Sequence, residues 1–239
     1  MELTGRARSP LRGLAFAVLA SAAGAALAAE EPRKAEYAVR WNPGEGGPKT
    51  ADAVLELLGS HAARGNAWEV RYFDLPRPAG APPGAAVILR RRAGADGEVE
   101  IRLKYRSARP LAGGWSCPAG IAFRREAQVD VGFGGADAPS RVYSYSCKLA
   151  APDPPAPLRA TPRPCASRMV RFEAGSPKAD GYKVEAWTLP DGTVRLEISR
   201  TAANSVDELA RFSDLVARLR ARGVKPLDES KTELGGRCP

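Results

Sequence analysis

Cationic residues recur at every second position in several stretches of this sequence. In VEIRLKYRS (Val99–Ser107), Arg102, Lys104 and Arg106 alternate with Ile101, Leu103 and Tyr105. Just upstream, VILRRR at 87–92 sets Arg90 and Arg92 at the same spacing. FRREAQVDV at 123–131 places Arg124, Glu126, Gln128 and Asp130 opposite Ala127, Val129 and Val131. TVRLEIS at 193–199 places Arg195, Glu197 and Ser199 opposite Val194, Leu196 and Ile198. A period of two is that of a β-strand with one apolar and one charged face. Such a face is ordinary when it meets water. If the sheet closes on itself, the charged faces instead line a lumen. That lumen would hold Arg90, Arg92, Arg102, Lys104, Arg106, Arg124 and Arg195, with Glu100, Glu126 and Glu197 between them. Crowded like charges repel, and unpaired ones lose hydration at roughly several kcal/mol each. A bound polyanion relieves both, and the planar arginine fork suits phosphate oxygens.

The elements that must position these residues follow from pattern and punctuation. Strands are expected at 36–41, 67–73, 86–92, 98–106, 123–131, 141–148, 167–173, 182–189 and 193–199, with GADG at 94–97 turning one hairpin. The prolines of 152–164 exclude a central strand there. Helical spacing and Thr50 as a cap predict a helix over 50–61, with His61 an ordinary surface or boundary residue at its end. Residues 205–222 form the clearest helix, with Ser205 and Glu208 as a capping box, Gly223 past the end, and a stripe of Leu209, Phe212, Leu215, Val216 and Leu219. The expected fold is α+β, a mostly antiparallel, eight-stranded β-tunnel, closed or nearly closed, with flanking helices.

The order of the motifs resembles the CYTH or triphosphate tunnel family over about residues 35–235. The matching pieces are Tyr72-Phe73-Asp74, Leu89-Arg90-Arg91-Arg92, Leu103-Lys104, Arg124-Arg125-Glu126, Leu196-Glu197-Ile198-Ser199 and Ser230-Lys231. The resemblance implies an antiparallel eight-stranded tunnel and, in many members, magnesium- or manganese-dependent hydrolysis of triphosphates. It implies phosphate contacts from Arg90, Arg92, Lys104, Arg124 and Lys231, and metal-side carboxylates at Glu126 and Glu197. The family's opening E-x-E-x-K strand corresponds here to Glu36, Ala38 and Arg40, so Glu36 joins the metal side and Arg40 the phosphate side. Ala38 and Ser199 stand where two further carboxylates are expected. Magnesium usually takes one or two carboxylates with water and substrate phosphate, so binding is feasible while a two-metal mechanism is doubtful.

The remaining features bound the setting. Residues 1–28 combine Arg6, Arg8 and Arg12 with an alanine-rich apolar run ending Ala26-Leu27-Ala28, the pattern of a cleaved signal peptide; 29–239 then form a single domain. The apolar run is too short and too small-residued to span a bilayer well, and no other run is long and apolar enough. The formal charge is +9, and about +7 without the leader, which favours anionic partners without specifying nucleic acid. Four cysteines in an exported chain favour two disulfides. Of three possible pairings, Cys117–Cys147 and Cys165–Cys238 are preferred: the first closes a local excursion between strands, the second ties the chain end to the body. The spacings lack C-x-x-C, so a zinc site is disfavoured, and no nucleophile elbow or plausible triad points to covalent catalysis. Three functions stay open. They are a periplasmic or secreted tunnel binding a small anionic or polyphosphate ligand with degenerate catalysis, a metal-dependent phosphohydrolase, and a β-barrel acting through its outer surface.

Overall fold

The computed structural model describes residues 31–62, 65–111, 115–118, 120, 122–176, 179 and 181–239. The expected leader lies outside them. Its strands are β1 (Lys34–Trp41), β2 (Asn66–Asp74), β3 (Ala86–Gly94), β4 (Val99–Ser107), β5 (Ala122–Phe133), β6 (Ser140–Leu149), β7 (Thr161–Pro162), β8 (Ser167–Glu173), β9 (Tyr182–Thr188) and β10 (Val194–Ala203). Its helices are α1 (Ala51–Leu55), α2 (Val206–Ala221) and α3 (Lys231–Gly235).

Nine strands close in the order β3-β4-β6-β5-β1-β10-β9-β8-β2, and β2 pairs back onto β3. The two-residue β7 pairs with the end of β2, within the proline-rich stretch. The fold is thus an α+β, mostly antiparallel β-tunnel of nine strands, one for each stretch read as a strand, where the expected tunnel was eight-stranded. One pair is parallel, β1 with β5, because β1 comes from the far N-terminal side and inserts between β5 and β10.

Closure sorts the alternating residues. On β1, Ala35, Tyr37, Val39 and Trp41 are buried on the outer side, while Glu36, Ala38 and Arg40 face the lumen. The outer apolar residues are covered largely by α2, whose Phe212 ring sits 5.9 Å from Tyr37, 5.2 Å from Phe133 and 6.2 Å from Tyr182. Ser205 caps α2 by accepting a hydrogen bond from the Glu208 amide. Ser205→Ala should therefore cost about 1 kcal/mol in urea unfolding, with activity or binding unchanged.

Two helix expectations differ. The helix expected over 50–61 is only α1 followed by a 3-10 turn at Glu56–Leu58, because Gly59 adopts φ +66 and ends it. His61 lies past that turn, exposed. The other difference is α3, which the sequence pattern did not announce. Its N-terminus carries a full capping box between Ser230 and Glu233. Arg125, the exception in the β5 pattern, points outward, its guanidinium 5.6 Å from the Trp115 ring centroid. Both preferred disulfides, Cys117–Cys147 and Cys165–Cys238, are present. No helix among the described residues is long and apolar enough to cross a membrane.

Candidate functional site: a basic lumen

The barrel encloses a cavity of about 860 Å³. Arg40, Arg90, Arg92, Arg102, Lys104, Arg106, Arg124 and Lys231 line it, as do Glu36 and Glu126. Glu197 reaches its edge through Arg40 and Lys231. Arg195 does not line that cavity: with Arg40, Glu197 and Lys231 it borders an adjoining small one of about 10 Å³, beside Trp187, Leu189 and Leu234. It faces inward like Glu197, but it sits at the start of β10, at the barrel's end. Among the described lining residues eleven are cationic and seven are carboxylates, so the lumen carries an excess of positive charge.

Two networks absorb most of that charge. In the first, Arg102 donates to Glu126 Oε2 at 2.8 Å and to Glu100 Oε2 at 2.9 Å, and Arg124 pairs with Glu126 at 2.9 Å. Burial pushes the Glu100 carboxyl up, but the Arg102 hydrogen bond and the charges of Arg102, Arg90 and Arg92 outweigh it and hold the group at about 2. Nearby, Arg106 donates to Asp130 at 3.0 Å. Gln128 bridges Asp130 and Glu36 at 2.7 and 2.9 Å.

The second network gathers Glu36, Glu185 and Glu197 from the neighbouring strands β1, β9 and β10. Lys231 Nζ lies 2.7 Å from Glu197, 3.2 Å from Glu185 and 3.3 Å from Glu36. Arg40 Nε lies 2.6 Å from Glu197 Oε2. Arg171 donates twice to Glu185 Oε1, at 3.0 and 2.7 Å, and Trp187 Nε1 donates to Oε2 at 3.0 Å. The Lys231 charge holds Glu36 well below the usual carboxylate range. Burial disfavours the Lys231 ammonium, but the three carboxylates more than offset this and raise its pKa.

Between the networks lie Arg90, Arg92 and Lys104. None of the three side chains makes a hydrogen bond among the described residues. Arg90 comes no closer than 3.7 Å to Glu100, and Arg92 no closer than 3.9 Å to Glu185. Arg92 Nε is buried without a partner. Both arginines are buried, at 8% and 7% exposure. Burial, then the Arg90 charge, lowers the Arg92 pKa to about 10. Burial also pushes Lys104 down to about 7; Arg90 and Arg106 add to this, against Asp130 and Glu36.

Sequence reasoning missed Glu185, Arg171 and Lys183. The signal was there: Lys183, Glu185 and Trp187 alternate with Tyr182, Val184 and Ala186 on β9. Missed as well was an apolar patch inside the barrel, where Val70, Tyr72, Met169, Trp187 and Leu189 receive Leu234 of α3. The segment carrying α3 crosses one end of the barrel. Its Pro226 bridges to Trp41, the Leu227 amide donates to the Arg40 carbonyl at 2.8 Å, and Ser167 Oγ donates to the Gly235 carbonyl at 3.2 Å.

Fold and site together define a closed β-tunnel with a basic lumen. No family model matches the sequence, and no curated protein does. Solved structures similar to it include a Hippeastrum protein described as a candidate adenylyl cyclase with a dominant triphosphatase activity, at 12% identity and a TM-score of 0.49, covering 87% of this chain and 97% of that one. A candidate adenylate cyclase from Vibrio parahaemolyticus shows 12% identity and a TM-score of 0.47, over 87% of this chain and 100% of that one. A Pyrococcus horikoshii protein shows 15% identity and a TM-score of 0.46, over 83% and 97%.

Proposed function

We propose that the tunnel binds a phosphate-rich polyanion, of the class of tripolyphosphate or longer inorganic polyphosphate. The observation that carries this is the trio Arg90, Arg92 and Lys104: three inward cations, packed side by side, with no hydrogen-bonded counter-ion among the described residues. A largely buried cation whose nearest carboxylate lies beyond hydrogen-bond reach is poorly compensated. An anionic chain would supply the missing acceptors, and two of the three cations are arginines suited to bidentate phosphate contact. Arg102, Arg106 and Arg124 would contact the ligand only by sharing it with the carboxylates they already hold. Lys231 is further from that role, since three carboxylates neutralise it. The resemblance in motif order supports the same ligand class. Export accords with the two disulfides, and a secreted or periplasmic setting favours polyphosphate over nucleotide triphosphate. The domain would then begin near residue 29, after removal of a leader.

Calorimetric titration of the mature chain with tripolyphosphate tests this. Binding should be seen at moderate salt and should weaken about tenfold in Lys104→Met, the loss of one charge-assisted contact. Absence of binding in the intact protein would sink the reading. The pH dependence has a fixed sign. With its pKa at about 7 in the folded protein and an ordinary value of about 10.4 unfolded, Lys104 burdens the fold most below pH 7. Its charge cost is relieved as pH rises, because the unfolded chain then holds the extra proton. An anion beside Lys104 restores its proton. Lys104 should therefore take up a proton on binding near pH 8, read as an enthalpy that varies with the ionisation heat of the buffer, and Lys104→Met should remove that uptake, leaving only the protons exchanged by tripolyphosphate itself.

A further inference from the structure

Glu36, Glu185 and Glu197 gather as the candidate seat for a divalent cation in this lumen; the motif resemblance implies magnesium or manganese at Glu36, Glu126 and Glu197, but Glu126 is held apart by Arg102 and Arg124. The residues present do not fit one. Among the described residues no group of three or more His, Cys, Asp or Glu side chains is placed to hold a metal ion. Ala38 and Ser199, which face each other across the β1–β10 pair, bring no carboxylate to the same wall. The three carboxylates that are present already have partners. Lys231 Nζ stands among them within 2.7, 3.2 and 3.3 Å. Their other oxygens go to Arg40, Arg171 and Gln128. A metal ion would have to displace the ammonium, since two cations cannot share that space.

The ammonium is also well fastened. Lys231 is the first residue of α3, its carbonyl accepts from Tyr72 Oη at 3.3 Å, and Ser230 before it caps the helix. Three residues on, Leu234 is buried in the apolar patch inside the barrel. Seven residues on, Cys238 is bonded to Cys165 at the head of β8. A tethered cation competes with free ions at an effective concentration of millimolar order or higher. It also competes without the dehydration that magnesium resists.

We infer that Lys231 is the resident cation of this lumen: its ammonium occupies the place a divalent metal would take, and the tunnel holds its anion without metal. The second half rests on the polyanion reading; the first does not. The chain has in this way exchanged a diffusible ion, with its ability to activate water, for a fixed charge that can only neutralise and orient. Lys231 acts on any ligand through Glu36, Glu185 and Glu197, as a positioning residue.

The test uses the mature protein with no anion present, titrated with Mn²⁺ while the electron paramagnetic resonance signal of free Mn²⁺ is followed. The intact protein should take up no stoichiometric Mn²⁺ below ~1 mM. Lys231→Met removes the charge and keeps an apolar stem of similar length. It should take up one equivalent at least ~10-fold more tightly than that limit, and adding Glu185→Gln should reverse the gain. Uptake of one equivalent by the intact protein, lost in Glu185→Gln, would overturn the inference. So would a folded Lys231→Met protein that takes up none. If Lys231→Met does not fold, the intact protein's titration still decides. A second arm titrates tripolyphosphate in EDTA. Affinity there should equal that of untreated protein within about twofold; binding that appears only with Mn²⁺ would overturn metal independence. Failure to bind tripolyphosphate under either condition would count against the polyanion reading alone.

Discussion

Glu185→Ala should destabilise the protein by about 3–5 kcal/mol, measured by urea unfolding at pH 7. Glu185 is 2% exposed. Its carboxylate receives Arg171, Trp187 and Lys231, and lies 3.9 Å from Arg92. Truncation removes none of those cations. It leaves Arg92 and Lys231 largely buried and Arg171 partly so, facing one another around a cavity the size of the lost carboxylate. Burial raises the Glu185 pKa, but Lys231, Arg92 and Arg171 together outweigh it and hold the group well below the ordinary carboxylate value. A depressed carboxylate contributes stability that is fully present above its unfolded pKa, about 4.3, and is lost as pH falls toward the folded value. The gap between intact and Glu185→Ala protein should therefore shrink on acidification below about pH 4. A gap that stays constant down to pH 3 would mean that packing, not charge, is what Glu185 supplies. Glu126→Ala is the control, because its carboxylate is 29% exposed and one partner, Arg124, is 63% exposed. Pairs of that kind are worth about 1 kcal/mol or less. Tripolyphosphate should rescue Glu185→Ala by more than it stabilises the intact chain, since the variant lumen has one more uncompensated positive charge.

The contrast between Glu185 and Lys104 shows what the sequence could disclose. Lys104 was legible because its strand alternates without a break from Val99 to Arg106, and only the direction of the charged face was undecided. Closure of the sheet decided it, and closure is not a property of any one strand. It depends on β1, whose pairing with β5 spans some ninety residues and is parallel, which a hairpin-by-hairpin reading does not anticipate. Glu185 lies on an equally regular strand, but its inward face reads Lys183, Glu185, Trp187, a mixture that suggests neither a core nor a charged wall. Its meaning comes from Arg171 on β8 and Lys231 on α3, brought to it from opposite directions along the chain. Arg195 shows the converse. Its alternation with Val194 and Leu196 is sound, yet its position at the start of β10, two residues before Glu197, leaves it outside the lining of the main cavity. The short α3 carries too few residues to show a period, so its presence inside the barrel end was invisible until the fold supplied the apolar patch that receives Leu234.

That same α3 is the subject of the second large effect. Replacing Cys165 and Cys238 together by serine should cost about 4 kcal/mol of stability, because the bond closes a loop of 73 residues and its loss frees that much chain in the unfolded state. Removing Cys117–Cys147, across 30 residues, should cost slightly less on the same scale. Global unfolding alone will therefore hardly separate the two. The folded states will. A five-residue helix has no stability of its own in water. Once Cys238 is released, α3 keeps the burial of Leu234, the Ser167 and Tyr72 hydrogen bonds, the Arg163 bond to the Gly236 carbonyl, and the Lys231 ion pairs. Each of these requires α3 to be in place before it contributes. Hydrogen exchange should accordingly quicken across Lys231–Gly235 in the Cys165/Cys238 double variant while β1, β9 and β10 keep their protection. The Cys117/Cys147 double variant should leave α3 as protected as in the intact protein. Equal protection of α3 in both variants would show that its non-covalent contacts hold Lys231 in place without the bond. Selective loss would show instead that the covalent tie at the chain end is what keeps the ammonium among Glu36, Glu185 and Glu197.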